Sequence, residues 1–477
     1  MKTVIGMIET RNESIPDAAV LGLCVFSVVN PLIAQAAFFL FPRPIGGMNI
    51  MQWFQGLCFP LILAMLLRLP AGCITFSRPF SRLLLMYIVA FGLLHLRLVS
   101  GGRMAAETAS TERMVYFKII FALLLWYSAS RIVQSYESAR RLLQWILLGA
   151  LLSAIWVLVC YFASMGGAHY VSVGVKATAG SEGVSGKGVS GFLLPAAGAA
   201  VYLALHEGSC RWAVWAALLL AAVFVTFDRS AQVAFAAGLS WIAVWWLLLA
   251  RPRPSVRSLL PLMCIAIVLG ATYYAHYGSE ELIARWTHDF DRGEVGSGRG
   301  TFYATAWNWF WKDSSLMDFL FGMGYGNIQP LMLTGSGAFR HTHSDLFDML
   351  LIGGMAGLAL YLLLLYTIVA LGKDMAVGGL PFACLGALVI SFGTMSLLTG
   401  LMAFPHTVYA FGAQCICIRV LAIRGAEQPR AAVVVGGPGC LWEYPHRKRQ
   451  IRTHQRCTVP GCEPEDAAAR QTGWGNE

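Results

Sequence analysis

Arg340-His341-Thr342-His343-Ser344, followed by DLFDMLLIGGMAGLALYLLLLYTIVAL over residues 345–371, is the stretch on which the reading of this chain turns. Five polar residues run into an apolar segment long enough to cross a bilayer core of about 30 Å as a helix. Two histidines and an arginine therefore stand where a membrane helix begins. On the polar side the stretch reaches back through Trp311, Trp309 and Trp307 to Gly298-Arg299-Gly300-Thr301. On the apolar side it carries Gly353-Gly354 and Gly357. A polar interruption meeting a membrane helix in this way reads as an active site at a bilayer surface.

The rest of the composition agrees with a membrane setting. Of 477 residues, 57% are hydrophobic and 13% charged, with mean hydropathy +0.62. A soluble domain carries about 25% charged residues, so the class is a polytopic membrane protein. The net charge of +10 does not indicate nucleic acid, because the basic residues lie between apolar spans. Most of the 12 cysteines fall inside spans (Cys24, Cys58, Cys160, Cys264, Cys384, Cys415 and Cys417) and read as small apolar packers rather than bridges. His454, Cys457 and Cys462 fit no standard zinc spacing, so no metal and no cofactor is expected. The first apolar run, from Ala18, is too long for a cleavable signal and reads as the first membrane helix.

The requirement of about 20 apolar residues per helix predicts an all-α bundle of roughly twelve spans. They lie near 18–41, 51–67, 81–99, 114–130, 142–165, 188–205, 211–227, 230–250, 258–277, 345–371, 380–400 and 403–422. Membrane helices thus occupy 1–277 and 345–423, separated by one large polar loop, 278–344, and followed by a tail, 424–477. With both termini inside, the inner segments hold 22 Lys and Arg against 12 in the outer ones. That bias places the large loop outside. Without the tail it is 13 against 12.

The loop has structure of its own. Glu280–Phe290 reads as a short helix, and Trp307, Phe310 and Trp311 recur at helical spacing over 301–321. That face suits either the headgroup level of the bilayer, where Trp is favoured, or the top of the bundle. Gly322, Gly324 and Gly326 read as a turn, with a phosphate cradle as the alternative. The Gly/Ser-rich 166–187 reads as a connector. The tail, with Arg447-Lys448-Arg449, is expected to be cytoplasmic, disordered and attracted to anionic membrane lipid.

Three groups can carry chemistry at the outer face. Arg229, in Asp228-Arg229-Ser230 at a helix end, is either an interfacial anchor paired with Asp228 or a guanidinium aimed at phosphate oxygens. Arg299 is either a solvated loop arginine or a second cation on the same anion. His343 can accept a proton from a sugar hydroxyl, with Ser344, Asp345 and Asp348 capping and charging the helix start. It can equally cap or pack at the interface. His341 is the rival base. Arg340, His341 and Ser344 complete the candidate substrate-binding set.

These residues resemble a known family, the O-antigen ligases, which are related to the O-antigen polymerases and protein O-oligosaccharyltransferases. The ligase pattern is His, then Asn, Ser or Gln, nine residues, then Gly-x-x-Gly-Thr-Thr. Here His343-Ser344 is followed by nine residues, 345–353, then Gly354-Met355-Ala356-Gly357. Leu358-Ala359 replace Thr-Thr, a departure that weakens ligase against polymerase without displacing it as the leading reading. Asp228-Arg229-Ser230 resembles the family's short Arg motif at an outer helix end, and Gly298-Arg299-Gly300 the second, in its large periplasmic loop. By motif the resemblance covers roughly 220–365. It implies transfer of a glycan from undecaprenyl diphosphate to a lipid A-core acceptor at the periplasmic face of the bacterial inner membrane. It further implies chemistry without a metal, in which Arg229 and Arg299 hold the diphosphate and His343 activates the acceptor with inversion. A polymerase or protein transferase would use the same donor. A lipid-linked glycan transporter is the alternative from another class.

Overall fold

In lipid, a helix satisfies every backbone N–H and C=O within its own segment, and all regular structure among the described residues is helical. The computed structural model describes residues 17–33, 50–68, 85–87, 89–90, 92–93, 106–163, 186–226, 228–250, 299–336, 342, 344–373, 375–401 and 405–427. All fall in the first of two units, Met1–Ala431; the second, Ala432–Glu477, lies outside the described residues. So do the predicted span 258–277, most of 81–99, the predicted helix Glu280–Phe290, most of 166–187 and the tail beyond 427.

The helices are α1 (Asp17–Ile33), α2 (Ile50–Arg68), α3 (Ala106–Ile132), α4 (Tyr136–Ala163), α5 (Gly186–Glu207), α6 (Cys210–Val225) and α7 (Arg229–Val244). In the region read as a loop come α8 (Arg299–Asn308), α9 (Leu316–Phe321) and α10 (Ile328–Ser336). The series closes with α11 (Asp345–Ala370), α12 (Leu380–Thr399) and α13 (Pro405–Glu427). Seven helices are long and apolar enough to cross a membrane, and three shorter apolar ones stand at 17–33, 53–67 and 210–224. These ten fall where the sequence predicts spans. The two predicted pairs with very short connections are separate helices: Asp228 caps α7 after α6 has ended at Thr226, and α12 ends at Gly400 before α13.

Small residues let the helices approach closely. α7 and α12 run antiparallel: the Ser391 hydroxyl donates to Ala234 O at 3.0 Å, and the indole N–H groups of Trp241 and Trp245 donate to Ala383 O and Val377 O, each at 3.0 Å. Gly386 lies directly beneath Trp241, where a Cβ would come 2.3 Å from the indole nitrogen. α5 is also antiparallel to α12, with Gly198 against Leu388 and Gly191 against Leu401. Phe392 and Phe411 stack at 3.9 Å between α12 and α13. Outward, Leu61, Leu67, Leu85, Leu247, Leu248 and Tyr366 are exposed. Such an apolar surface suits lipid rather than water.

The helix that follows His343 is not the straight span its length predicts. α11 breaks at Gly354, whose φ of 60° and ψ of −151° lie outside helical space. In a straight helix Asp345 and Tyr361 would stand about 24 Å apart. Here both reach the Ser396 hydroxyl, at 2.5 and 2.6 Å. A Cβ on Gly357 would fall 2.6 Å from Met349 O. The limbs 345–353 and 355–370 therefore fold toward each other. Gly322, also at positive φ, sits against the break. Met323 and Gly324 donate their N–H groups to Leu351 O and Ile352 O, at 2.8 and 3.2 Å. These glycines build a backbone-to-backbone contact, beyond the close helix approach expected of Gly353, Gly354 and Gly357. The amides of 323 and 324 are thus spent on α11, which favours the turn reading of Gly322-Gly326 over a phosphate cradle.

Candidate functional site

The antiparallel register of α7 and α12 sets the depth of the Asp-Arg-Ser motif. Ala234 lies beside Ser391, so the start of α7, one to two turns earlier, stands level with the end of α12 around Ser396. Asp228 fixes that start. Its Oδ1 accepts Ser230 N–H at 3.0 Å as a helix cap, and its Oδ2 accepts the Ser190 hydroxyl of α5 at 2.6 Å. The next α5 residue, Gly191, packs on Leu401 and Thr407. Leu401 N–H in turn donates to Asp345 Oδ2 at 2.7 Å. The start of α7, the first turn of α5, the 400–401 turn and the start of α11 thus form one contiguous end of the bundle.

The His-Ser end of α11 is held there by two buried carboxylates. Asp345 Oδ2 accepts the Ser396 hydroxyl as well as Leu401 N–H. A hydroxyl carries one proton, so Ser396 spends its own on Asp345 and receives one from Tyr361, giving the order Tyr361 to Ser396 to Asp345. Asp348 Oδ1 accepts the Thr342 hydroxyl at 2.6 Å and Thr342 N–H at 3.3 Å. Ser344 N–H donates to Thr342 Oγ1 at 3.2 Å. The remaining oxygens, Asp348 Oδ2 and Asp345 Oδ1, lie 3.4 and 3.6 Å from where a Cβ on Gly400 would sit. Thr342, Ser344, Asp345, Asp348, Ser396 and Thr399 are all buried.

The capping role expected of this segment is therefore different in the structure. Ser344 occupies the cap position of α11, but its side chain makes no capping bond. Asp345 and Asp348 reach across to other backbone and hydroxyl donors instead of sitting over the first turn. Ser344 is 2% exposed.

α8 brings the third motif to the same end. Tyr303, one turn after Arg299, stacks on Phe347 of α11 with ring centres 4.7 Å apart. Its hydroxyl donates to Leu397 O of α12 at 3.4 Å. The inner face of this segment, Phe302, Ala306 and Phe310, is buried. Trp307 and Trp311 are 52% and 56% exposed on the outer face. One face of the Trp-rich segment thus packs inward, as the second expectation has it, while Trp307 and Trp311 stay exposed on the other.

Of the candidate catalytic residues, Arg229 and Arg299 begin α7 and α8, and their side chains lie outside the described atoms. His343, His341 and Arg340 lie outside the described residues, although Thr342 and Ser344 on either side of His343 are fixed. The structure brings together the helix starts that carry Arg229 and Arg299 and the segment that flanks His343. Ser190, Tyr361 and Ser396 belong to this end without any signal in the sequence. Each is a hydroxyl within a largely apolar helix, and its partner lies 35 or more positions away.

No curated protein matches the chain. Residues 212–362 match the family model described as O-Antigen ligase. The match runs from α6 through the Asp-Arg-Ser cap, the start of α8 and the folded α11, so this part of the chain carries an O-antigen ligase domain.

Proposed function

We propose that this protein is an inner-membrane glycosyltransferase that moves O-antigen polysaccharide from undecaprenyl diphosphate to the lipid A-core oligosaccharide at the periplasmic face. The observation that carries the reading is the convergence of three distant motifs on one end of the bundle. Arg229 and Arg299 bind the diphosphate and stabilise the charge that develops on it, the part a divalent ion plays in many glycosyltransferases. The acceptor hydroxyl oxygen attacks the anomeric carbon while His343 takes the hydroxyl proton. The bond from that carbon to the diphosphate oxygen breaks, and undecaprenyl diphosphate leaves with the electron pair. Attack opposite the leaving group inverts the anomeric centre. Arg340 and His341 line the path of the sugars, Ser344 itself being buried, and the 278–344 region covers the sugars on the periplasmic side of a bundle of about twelve spans, with both termini cytoplasmic.

A second reading has one observation in its favour. Leu358-Ala359 stand where the ligase pattern has Thr-Thr, which weakens the ligase against a polymerase or protein O-oligosaccharyltransferase using the same donor.

One assay tests both readings: purified protein in nanodiscs, given lipid-linked glycan with lipid A-core as the sole acceptor. Transfer to lipid A-core supports the ligase. Product that forms only when a second lipid-linked repeat or an acceptor protein is added supports the alternative. His343→Ala is expected to lower transfer at least about 100-fold with the protein inserted and monodisperse; wild-type transfer by that variant rejects the base. Arg229→Lys, which keeps the charge but loses the planar fork, is expected to lose most activity.

A further inference from the structure

The two carboxylates that follow the proposed base in the first turn of α11 have no part in the chemistry above, yet both are buried and hydrogen-bonded. Asp348 takes both donors of Thr342, its hydroxyl at 2.6 Å and its N–H at 3.3 Å. Thr342 in turn accepts Ser344 N–H, so the residues on both sides of position 343 are tied to one carboxylate. Asp345 ties the same segment to a different part of the chain, the Leu401 N–H and the Ser396 hydroxyl. That turn is the one on which Gly191 of α5 packs, and the neighbouring Ser190 holds the cap of α7. A continuous line of contacts thus runs from Thr342 through Asp348 and Asp345 to Leu401, Ser190 and Asp228.

A helix start needs no such apparatus. One exposed Ser or Asp at the cap satisfies it, and a well-packed apolar pair is commonly no less stable than buried charge. The observed arrangement removes two carboxylates from solvent, spending one on the residue before position 343 and the other on Leu401 N–H and the Ser396 hydroxyl. We infer that Asp345, Asp348 and Thr342 are positioning residues, which fix the backbone on either side of His343 in register with the start of α7. Arg229 and His343 then meet the diphosphate and the acceptor at a constant separation. The inference rests on the proposed role of His343 as the base.

Position 342 gives the cleanest test, because Thr342→Val keeps shape and burial while removing the hydroxyl, and Thr342→Ser restores it. In the nanodisc assay Thr342→Val is expected to lower kcat at least tenfold, with KM for the lipid-linked donor within twofold. Thr342→Ser is expected to recover to within threefold of the parent. Asp348→Ala should follow Thr342→Val. A parent-like kcat in Thr342→Val overturns the inference, as does a loss that appears as raised KM or that the serine variant shares. Inactive His343→Ala beside fully active Thr342→Val would remove the positioning role and leave the base intact. Active His343→Ala would remove the base, and the positioning role with it.

Discussion

The two ends of the bundle treat acidic side chains in opposite ways. At the end away from the candidate site, Glu207 closes α5 with an ion pair to Arg140 of α4 at 2.8 Å, while its other oxygen accepts the Trp212 indole N–H at 2.8 Å. Arg211 lies over the Trp212 ring at 4.3 Å, and His206 stacks on Tyr202 at 5.3 Å. Acid meets base there, both partners retain some exposure, and the cluster braces three helices. At the site end, the described donors to Asp228, Asp345 and Asp348 are hydroxyls and backbone amides drawn from α5, α7, α12 and the turns beside them. Carboxylates held this way set the positions of helix starts. The arginines and histidines of the motifs are the groups proposed to act on substrate.

Several substitutions break this contrast or sharpen it. The largest effect is expected at Gly354, where the site end depends on a backbone shape that a side chain cannot adopt. A Cβ there meets Gly322 N, Leu320 C and Phe319 O, each at 2.6 Å, at a φ of 60°. Backbone strain and overpacking together cost about 3 kcal/mol or more. Gly354→Ala should therefore lose the monodisperse folded protein in size-exclusion chromatography; a folded, active variant would show that the break in α11 is dispensable. The smallest effect is expected at the opposite end. Glu207→Gln removes a partly exposed ion pair worth about 1 kcal/mol, so Tm should fall by a few degrees with kcat unchanged. A large fall in kcat there would erase the distinction between a bracing end and a working end.

Much of this architecture is legible in the sequence. Apolar runs locate ten helices because the bilayer fixes both length and composition. Asp228-Arg229-Ser230 stands at a helix end in the sequence, but the part Asp228 plays as the cap of α7 comes from the structure. The Trp-rich segment shows its helical spacing but not which face packs, since exposed Trp suits lipid as well as a neighbouring helix. The fold of α11 at Gly354 is hidden, because Gly-Gly in an apolar run also serves plain helix packing. Its partner, Gly322, lies 32 residues upstream. The roles of Asp345 and Asp348 are hidden for a related reason. In the first turn of a helix an acid reads as a local cap, and only the fold brings Leu401, Ser396 and Thr342 within reach. Ser190 and Ser396 are hydroxyls in largely apolar helices, and nothing in their spacing points to partners 38 and 51 positions away.

The central claim is that Arg229, Arg299 and His343 act together at the end of the bundle defined by Asp228, Asp345 and Ser396. The most direct measurement is a cryo-electron microscopy structure in nanodiscs with an undecaprenyl diphosphate-linked glycan bound. The expected result is a diphosphate between the starts of α7 and α8, contacted by the guanidinium groups of Arg229 and Arg299, with the anomeric carbon facing His343. A diphosphate bound elsewhere, such as beside Arg140 and Arg211 at the opposite end, with these three side chains apart from it, would contradict the account.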